Sequence, residues 1–176
     1  MVDAKILVID DNKSVLSALE ILLQFEYSNI STISNPNRIS SFPDLEKIDV
    51  VLLDMNFSAG VNTGNEGLFW LREIKKKAPL TAVIMMTAYG AVELAVQALK
   101  EGASDFILKP WNNDKFLATV KAAYMLRNSQ KEINQLKQKE SNLKQVINQD
   151  KNYIIGNSKA LSTVLNLTNK VAKTDV

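Results

Sequence analysis

The sequence predicts an α/β fold: a five-stranded parallel sheet with flanking helices, followed by a long C-terminal helix that forms a coiled coil. Five short apolar runs alternate with segments whose apolar residues recur about every three to four positions, which is typical of strands alternating with amphipathic helices. Four of the five runs are apolar over most of their length, as parallel strands covered on both faces are. A stretch without Gly or Pro, from Asn112 to Ile155, indicates the long helix.

The predicted strands are the five apolar runs. They are KILVI (Lys5 to Ile9), NISTI (Asn29 to Ile33), DVVLL (Asp49 to Leu53), TAVIMM (Thr81 to Met86) and SDFIL (Ser104 to Leu108). Each is predicted to be buried or half-buried. Because helical segments separate consecutive strands, right-handed crossovers are expected to join them in a parallel sheet.

Three helices are predicted between the strands, each from a stripe of apolar residues on one face. They cover Ser14 to Phe25, Gly67 to Lys77 and Ala91 to Lys100. Gly102 stands where a C-cap is expected after the third of them. The segment after Asn35 contains two prolines and several serines, so it is predicted to form only a short helix.

Composition narrows the possible classes of protein. The chain has 176 residues, 46% of them hydrophobic, which suffices for one core and a small appendage. Its 21 basic and 19 acidic side chains leave a net charge of +2, too balanced to predict nucleic-acid binding. The absence of cysteine and histidine excludes disulfides, thiolate or imidazole metal sites and histidine-based triads. The first residues resemble neither a signal peptide nor a membrane span, so we expect a cytoplasmic protein.

Polar side chains follow four of the predicted strands. The first strand is followed by Asp10 and Asp11, the third by Asp54, the fourth by Thr87 and the fifth by Lys109. Each alone has an ordinary explanation, such as capping a helix, ending a strand or lying in solvent. Because ligands of such folds bind beyond the carboxyl ends of the strands, we expect these groups to converge on one site.

The clustered acids predict a particular chemistry. Three carboxylates in one pocket repel each other, so a cation is expected to join them. Mg²⁺ fits, since it prefers carboxylate and water oxygens and leaves positions open for phosphate oxygens. An ionised Asp54 is then a candidate nucleophile that forms an aspartyl phosphate. Lys109 would neutralise charge on the phosphoryl oxygens, and Thr87 would donate a hydrogen bond to one of them.

The set Asp10-Asp11, Asp54, Thr87-Ala88 and Lys109-Pro110 resembles the receiver domain of two-component response regulators. The resemblance covers residues 4 to about 122. It implies a CheY-like fold. It also implies that Asp54 is the phosphoacceptor and that a sensor histidine kinase or phosphotransfer protein supplies the phosphoryl group. The reactions implied are self-phosphotransfer and autodephosphorylation at Asp54.

The same resemblance implies a role for each residue of the site. The implied Mg²⁺ ligands are Asp10, Asp11, Asp54 and Asn56, of which Asp11 binds directly, Asp10 directly or through water, and Asn56 through its backbone carbonyl. Thr87 and Lys109 would bind the phosphoryl group, and the Lys109-Pro110 peptide bond would be cis. Phe106 occupies the aromatic switch position, where the ring turns inward when Thr87 moves towards the phosphoryl group. Ordinary core packing explains Phe106 equally well.

The segment after Asp54 departs from the family pattern. Asn56-Phe57-Ser58 replaces the usual Met-Pro, and Gly67 follows Asp54 by thirteen positions instead of about eight. The stretch SAGVNTGNEG is therefore predicted to contain an insert of about five residues beside the active site. Asn56 and Tyr89 are the positions expected to tune hydrolysis of the aspartyl phosphate.

A seven-residue apolar repeat runs along the predicted C-terminal helix. Its core positions hold Leu126, Ile133, Leu136, Leu143 and Ile147, with Ser129 and Glu140 at the two remaining ones. A lone helix of this composition could not bury such a stripe, so we expect a homodimer in which the helix pairs with a second copy of the chain. The alternative is a frayed linker rich in Gln and Lys.

The last residues resemble the start of another domain. The segment Tyr153-Ile154-Ile155-Gly156, before a helix capped by Asn157 or Ser158, is similar to the opening of the AAA+ ATPase domain in NtrC-like, sigma-54-dependent transcription activators. The predicted boundaries are 1–122 for the receiver, 123–151 for the coiled-coil linker and 152–176 for the N-terminal fragment of the AAA+ domain. No Gly-Lys pair occurs, so ATP hydrolysis and DNA binding are expected in a part of the protein beyond this chain.

Three other functions compete with the receiver. A haloacid-dehalogenase-like phosphatase also uses an aspartyl nucleophile, but it requires a second acid where Asn56 stands. A flavodoxin-like flavin binder has no use for clustered acids beside an anionic cofactor. A purely dimerising interaction module is the third alternative. A phosphoryl adduct that depends on Mg²⁺ and is lost in Asp54→Asn would support the receiver, and an adduct unaffected by that change would reject it.

Overall fold

All five predicted strands are present and form one parallel sheet. The structure, a computed structural model, describes residues 1–57, 65–88, 92–150 and 158–171. The strands are β1 (Val2–Ile9), β2 (Tyr27–Ile33), β3 (Val50–Asp54), β4 (Ala82–Ala88) and β5 (Asp105–Lys109). They lie in the order β2-β1-β3-β4-β5, and every neighbouring pair is parallel.

The strand order reverses at β1. β2 lies on one side of β1, and β3, β4 and β5 lie on the other. Ile9 at the end of β1 pairs in register with Leu53 of β3. Sheets of this kind bind ligands beyond the carboxyl ends of the strands where the order reverses. Asp10 and Asp54 both stand at that edge, one residue after this pair.

Helices cover both faces of the sheet. The covering helices are α1 (Lys13–Leu23), α2 (Asn65–Lys77), α3 (Val92–Lys100) and the first turns of α4 (Asn113–Asp150). A fifth helix, α5 (Lys159–Val171), follows in the chain. Successive strand residues point to opposite faces. Val51 and Leu53 accordingly belong to a buried cluster with residues of α2 and α3. Val50 and Leu52 belong to a second cluster with residues of α1 and the first turns of α4.

The segment between β2 and β3 differs from the prediction. It forms two short 3-10 helices, Pro36–Ser41 and Leu45–Lys47, instead of one short helix. Pro43 lies between them, and its ring and missing N–H prevent a continuous hydrogen-bonded helix. Ile39 and Leu45 are buried in the cluster that contains α2, so the two turns still cover that face of the sheet.

The predicted ends of two helices are confirmed. Gly102 follows α3 with a φ of 100°, in the left-handed region that favours glycine. Ser158 caps α5, because its hydroxyl oxygen accepts the N–H of Leu161 at 3.2 Å. Asn12 also caps α1 by accepting the N–H of Ser14 at 2.9 Å.

The chain divides into two compact units, Met1–Ile133 and Asn134–Val176. The first contains the sheet, α1 to α3 and the first turns of α4, and the second contains the rest of α4 and α5. Within the described ranges, no helix is long and apolar enough to cross a membrane. Residues 58–64 of the predicted insert stretch SAGVNTGNEG lie outside the described residues, as do Tyr89 and the segment 153–156.

Candidate functional site

Asp54 is the last residue of β3, a strand whose five residues are all buried. Its side chain is only 9% exposed. One carboxylate oxygen, Oδ1, accepts the backbone N–H of Met55 at 2.9 Å. The apolar strand thus fixes one acid at the carboxyl edge of the sheet and shields it from most solvent.

Three acids meet there, as the sequence predicts. Asp10 is buried directly after β1, and Asp11 beside it is exposed. One carboxylate oxygen from each of Asp10, Asp11 and Asp54 lies within 4.8 Å of the other two. Asp10 is held in place because its Oδ1 accepts the N–H of Asn12 at 2.9 Å. The acids meet because β1 and β3 are neighbours in the sheet.

Lys109 is the last residue of β5, and its ammonium group reaches two of the acids. Nζ donates to Oδ2 of Asp10 at 2.6 Å and to Oδ1 of Asp54 at 2.9 Å. These charge-assisted hydrogen bonds join the ends of β1, β3 and β5. The peptide bond between Lys109 and Pro110 is cis, as the resemblance implies.

Burial changes the acidity of this ion pair. It raises the pKa of Asp54 from 3.8 to about 6, despite the opposing attraction of Lys109, and the nearby Asp10 adds to the increase. For Lys109, burial disfavours the charged form, but hydrogen bonds and charge attraction from Asp10 and Asp54 outweigh it and raise its pKa. The ammonium is therefore charged at neutral pH, whereas Asp54 takes up a proton below about pH 6.

In a chelator, we expect the wild-type protein to lose stability relative to Asp54→Asn as the pH rises from about 4 to about 7. The pKa of Asp54 is 3.8 in the unfolded chain and is raised to about 6 in the folded protein. The protonated carboxyl therefore stabilises the fold fully below pH 3.8, and this stabilisation is lost as the pH rises through about 6. The shift of about two units corresponds to about 3 kcal/mol. Urea unfolding at a series of pH values measures the difference, and identical profiles for the two proteins would contradict the raised pKa.

The donor set fits a hard divalent cation. The possible ligands are carboxylate oxygens, and three carboxylates carry more negative charge than the one ammonium beside them balances. Mg²⁺ binds such carboxylates and keeps water in its remaining positions. Asn56, the fourth predicted ligand, is half-buried two residues after Asp54. The residues present are therefore suited to Mg²⁺.

Thr87 and Phe106 lie on β4 and β5, next to the site. Thr87 follows Met86, the residue of β4 that pairs with Asp54. Its buried hydroxyl donates to the carbonyl of Ala88 at 3.5 Å, the outer limit of a hydrogen bond. Phe106 is half-buried and packs against the cluster that contains α2 and α3. In this conformation the Thr87 hydroxyl is directed to its own strand, and no hydrogen bond of the described residues joins it to the acids.

Two contacts that the sequence did not predict join the residues just after β3 to the first turn of α2. Glu66 accepts the N–H of Phe57 at 3.2 Å. Gly67 donates its N–H to the carbonyl of Met55 at 3.1 Å. A Cβ on Gly67 would lie 2.7 Å from both the Cα and the carbonyl oxygen of Met55, so the helix touches the backbone directly there. The only sequence indication of Glu66 is its position in the first turn of α2, where acids are favourable.

Comparison with known proteins agrees with this site. The response regulator receiver domain family matches residues 6–121. The receiver domain of a two-component response regulator from Bacteroides fragilis is 46% identical, with a TM-score of 0.62, and the match covers 70% of this chain and 98% of that one.

Two NtrX proteins match beyond the receiver. An NtrX-like response regulator of Rickettsia bellii is 31% identical over 153 residues, which are 87% of this chain and 30% of that protein. The crystal structure of NtrX from Brucella abortus is 25% identical with a TM-score of 0.69, covering 97% of this chain and 35% of that one. The same NtrX has been crystallised in complex with ATP. The chain thus spans about a third of these two relatives, and it belongs to the family of response regulator receiver domains.

Proposed function

We propose that Asp54 is the phosphoacceptor of a two-component system, phosphorylated by a sensor histidine kinase or a phosphotransfer protein. The observation that carries the proposal is the hydrogen bond from Lys109 to an Asp54 carboxylate that is buried beside two further acids. An oxygen of Asp54 attacks the phosphorus of a phosphohistidine. As the new O–P bond forms, the P–N bond breaks, and the leaving imidazole keeps the electron pair and takes up a proton from water.

The residues around Asp54 would stabilise the charge that develops on the phosphoryl oxygens. Lys109 already contacts Asp54, so its ammonium needs only a small movement to bind a phosphoryl oxygen. Asp10, Asp11 and Asp54, with the backbone carbonyl of Asn56, would hold Mg²⁺. When bound, this ion supplies positive charge to the phosphoryl oxygens and offsets the repulsion between the donor and the acids.

We propose that Thr87 and Phe106 report the phosphorylated state. Thr87 follows the residue paired with Asp54, and its hydroxyl makes only a long hydrogen bond of 3.5 Å to Ala88. Little free energy therefore holds the hydroxyl away from a phosphoryl group. Phe106 is half-buried on the adjacent β5, so an inward turn of its ring would follow movement of Thr87 and change the surface formed by α3 and β5.

The function is tested by exposing the chain to acetyl phosphate with and without Mg²⁺ and reading its intact mass. We expect one phosphoryl adduct in Mg²⁺ and none in a chelator, because the three acids repel the anionic donor unless a cation neutralises them. Excess Mg²⁺ added to the chelated sample should restore the adduct. An adduct that forms equally well in the chelator would contradict the proposal.

We further propose that the chain is the regulatory part of an NtrC-like, sigma-54-dependent transcription activator. Support comes from the NtrX proteins, which match most of this chain and are about three times its length. The segment 152–176, with its similarity to the opening of an AAA+ domain, adds to it. The receiver would cover 1–122 and the coiled-coil linker 123–151, and phosphorylation of Asp54 would control the ATPase domain of the same protein.

We propose that α4 pairs with α4 of a second copy. Leu126, Ile133, Leu136 and Leu143, at core positions of the seven-residue repeat, are between 50% and 63% exposed in the single chain. A regular apolar stripe of this kind is typical of a helix that has a partner. Light scattering should give the mass of two copies, with beryllofluoride added in parallel as a mimic of the phosphoryl group. The mass of one copy in both samples would contradict the pairing.

A further inference from the structure

The first turns of α4 carry two different stripes of side chains. Facing the sheet are Phe116, Val120, Ala123 and Arg127, each at most 5% exposed. Leu126 and Ile133 are 55% and 50% exposed, and we call these two residues the outer stripe. Arg127 is the last residue of the inner stripe, because Gln130 and Lys131, the next positions on that side of the helix, are exposed.

Arg127 ends the inner stripe with a buried ion pair. Its Nη1 donates to Oδ1 of Asp49, and the two side chains are 6% and 13% exposed. Asp49 is itself held by both neighbouring strands. Its Oδ2 accepts the N–H of Lys5 at 2.8 Å, and its backbone carbonyl accepts the N–H of Ala82 at 3.0 Å. Arg127 therefore binds a partner fixed at the start of β3, at the opposite end of the strand from Asp54.

Stability alone is a poor explanation for this pair. Removing two charges from water is costly, and replacing a buried ion pair with apolar residues often leaves stability unchanged or increases it. In addition, Nε of Arg127 is buried and has no hydrogen-bond partner among the described residues. A leucine or methionine at 127 would simply continue the apolar inner stripe. The ion pair fixes the rotation of α4 about its own axis, because a hydrogen-bond donor and acceptor must meet in one geometry. Apolar helix faces, in contrast, tolerate rotation.

The outer stripe takes its direction from this contact. Consecutive residues of an α-helix are about 100° apart around the axis. Leu126 therefore faces about 100° away from Arg127, and Ile133, nearly two turns further on, faces the same side as Leu126. Rotation of the helix by one residue would separate Arg127 from Asp49 and turn the outer stripe to a different side.

We propose that the Asp49–Arg127 pair locks the rotation of α4 on the receiver, so that the outer stripe meets a second copy of this chain in one orientation. The proposal rests on the pairing of α4 proposed above. The receiver and the helix as far as Arg127 then move as one rigid body. As a consequence, two receivers in a dimer have one fixed arrangement. A conformational change in a receiver is then transmitted to the paired helices, because α4 does not rotate freely on the receiver.

Hydrogen exchange tests the lock without depending on the dimer. The variants are Arg127→Gln, Asp49→Asn, which keeps an acceptor for the N–H of Lys5, and Lys131→Gln, a matched control that removes a positive charge from an exposed position of the same helix. We expect the first two to raise amide exchange at 124–131 at least about tenfold more than in β1, β3 and β4. Lys131→Gln should exchange like the wild type. Unchanged exchange at 124–131 in both ion-pair variants would overturn the lock.

Pulsed electron paramagnetic resonance tests the fixed arrangement in the dimer. The chain has no cysteine, so Ser17→Cys on the exposed side of α1 places one spin label on each receiver. We expect a narrow distribution of distances between the two labels in the parent and in Lys131→Gln. Arg127→Gln and Asp49→Asn should broaden it at least about twofold, because the receivers then rotate on their helices.

The outcomes separate the lock from the pairing. A narrow distribution that persists in both ion-pair variants would overturn the lock while leaving the dimer intact. No dipolar signal in any protein, together with the mass of one copy, would overturn the pairing and with it the role of the outer stripe. Raised exchange combined with a broadened distribution would support both.

Discussion

Replacing Asp54 with asparagine is expected to abolish phosphorylation. The amide removes the only nucleophilic oxygen pair at the end of β3 but keeps nearly the same size, so the buried strand and its neighbours should stay in place. Met55 can still donate its N–H to the amide oxygen, and Lys109 keeps its 2.6 Å contact with Asp10. In Mg²⁺ and acetyl phosphate, intact mass should show one adduct on the wild-type chain and none on Asp54→Asn.

Asp44→Asn is the matched control for this loss. Asp44 is an exposed acid whose side chain is 65% accessible, and its one ion pair is with Lys47 on the surface. The same change of charge there should leave the yield of adduct within about twofold of the wild type, since screened surface charges have small effects. An adduct of undiminished yield on Asp54→Asn would place the phosphoryl group on another residue. Peptide mapping of that adduct would then identify the true acceptor.

The sequence predicted the sheet and the residues at its carboxyl edge because both follow from local patterns. Buried parallel strands are recognisable as apolar runs, and the position of a residue after such a run determines which edge of the sheet it occupies. The convergence of Asp10, Asp11 and Asp54 follows from that rule alone. The two hydrogen bonds of Lys109 cannot be predicted from that rule, because they depend on how far one flexible side chain reaches across β4 to two acids.

The predictions failed where a conformation depends on distant partners. Pro36 and Pro43 indicate an interrupted helix, but the choice of two 3-10 turns depends on Ile39 and Leu45 packing against the core. The buried ion pair of Asp49 and Arg127 was also missed. An arginine four residues after Ala123 continues the inner stripe, and that polar residue on an apolar side of the helix was an indication of a buried partner. To identify that partner as Asp49, one must know which strand end the helix crosses.

The strand β3 connects the two charged sites of the receiver. Asp54 at its end contacts Lys109 of β5, and Asp49 just before its start contacts Arg127 of α4. The residues between them are all buried, and both neighbouring strands hydrogen-bond to them. Such a strand is too tightly held to bend, so a change at Asp54 is expected to be transmitted through Thr87 on β4 and Phe106 on β5. The ion pair at Arg127 then serves as the fixed point against which that change acts.

Gly67→Ala is expected to destabilise the receiver strongly. In a helix, alanine is ordinarily better than glycine by about 1 kcal/mol, so propensity alone predicts a more stable protein. At Gly67, however, the added methyl group would lie 2.7 Å from the Cα and the carbonyl oxygen of Met55 and 3.0 Å from the carbonyl oxygen of Asp54. These are backbone atoms, which cannot turn aside as the end of a side chain can, so either α2 or the end of β3 must shift.

We expect Gly67→Ala to lower the free energy of unfolding by about 3 kcal/mol, as overpacking against a rigid core does. Because the methyl group displaces the residue next to Asp54, phosphorylation by acetyl phosphate should also slow, by about tenfold or more. Lys76→Ala is the control, an exposed position of α2 where the same new residue should change stability by less than about 0.5 kcal/mol. Urea unfolding of the wild type, Gly67→Ala and Lys76→Ala measures whether the free energy of unfolding falls or rises. A Gly67→Ala protein as stable as the wild type would mean that α2 does not rest on the backbone of Met55, and that the loop between β3 and α2 is held by other contacts.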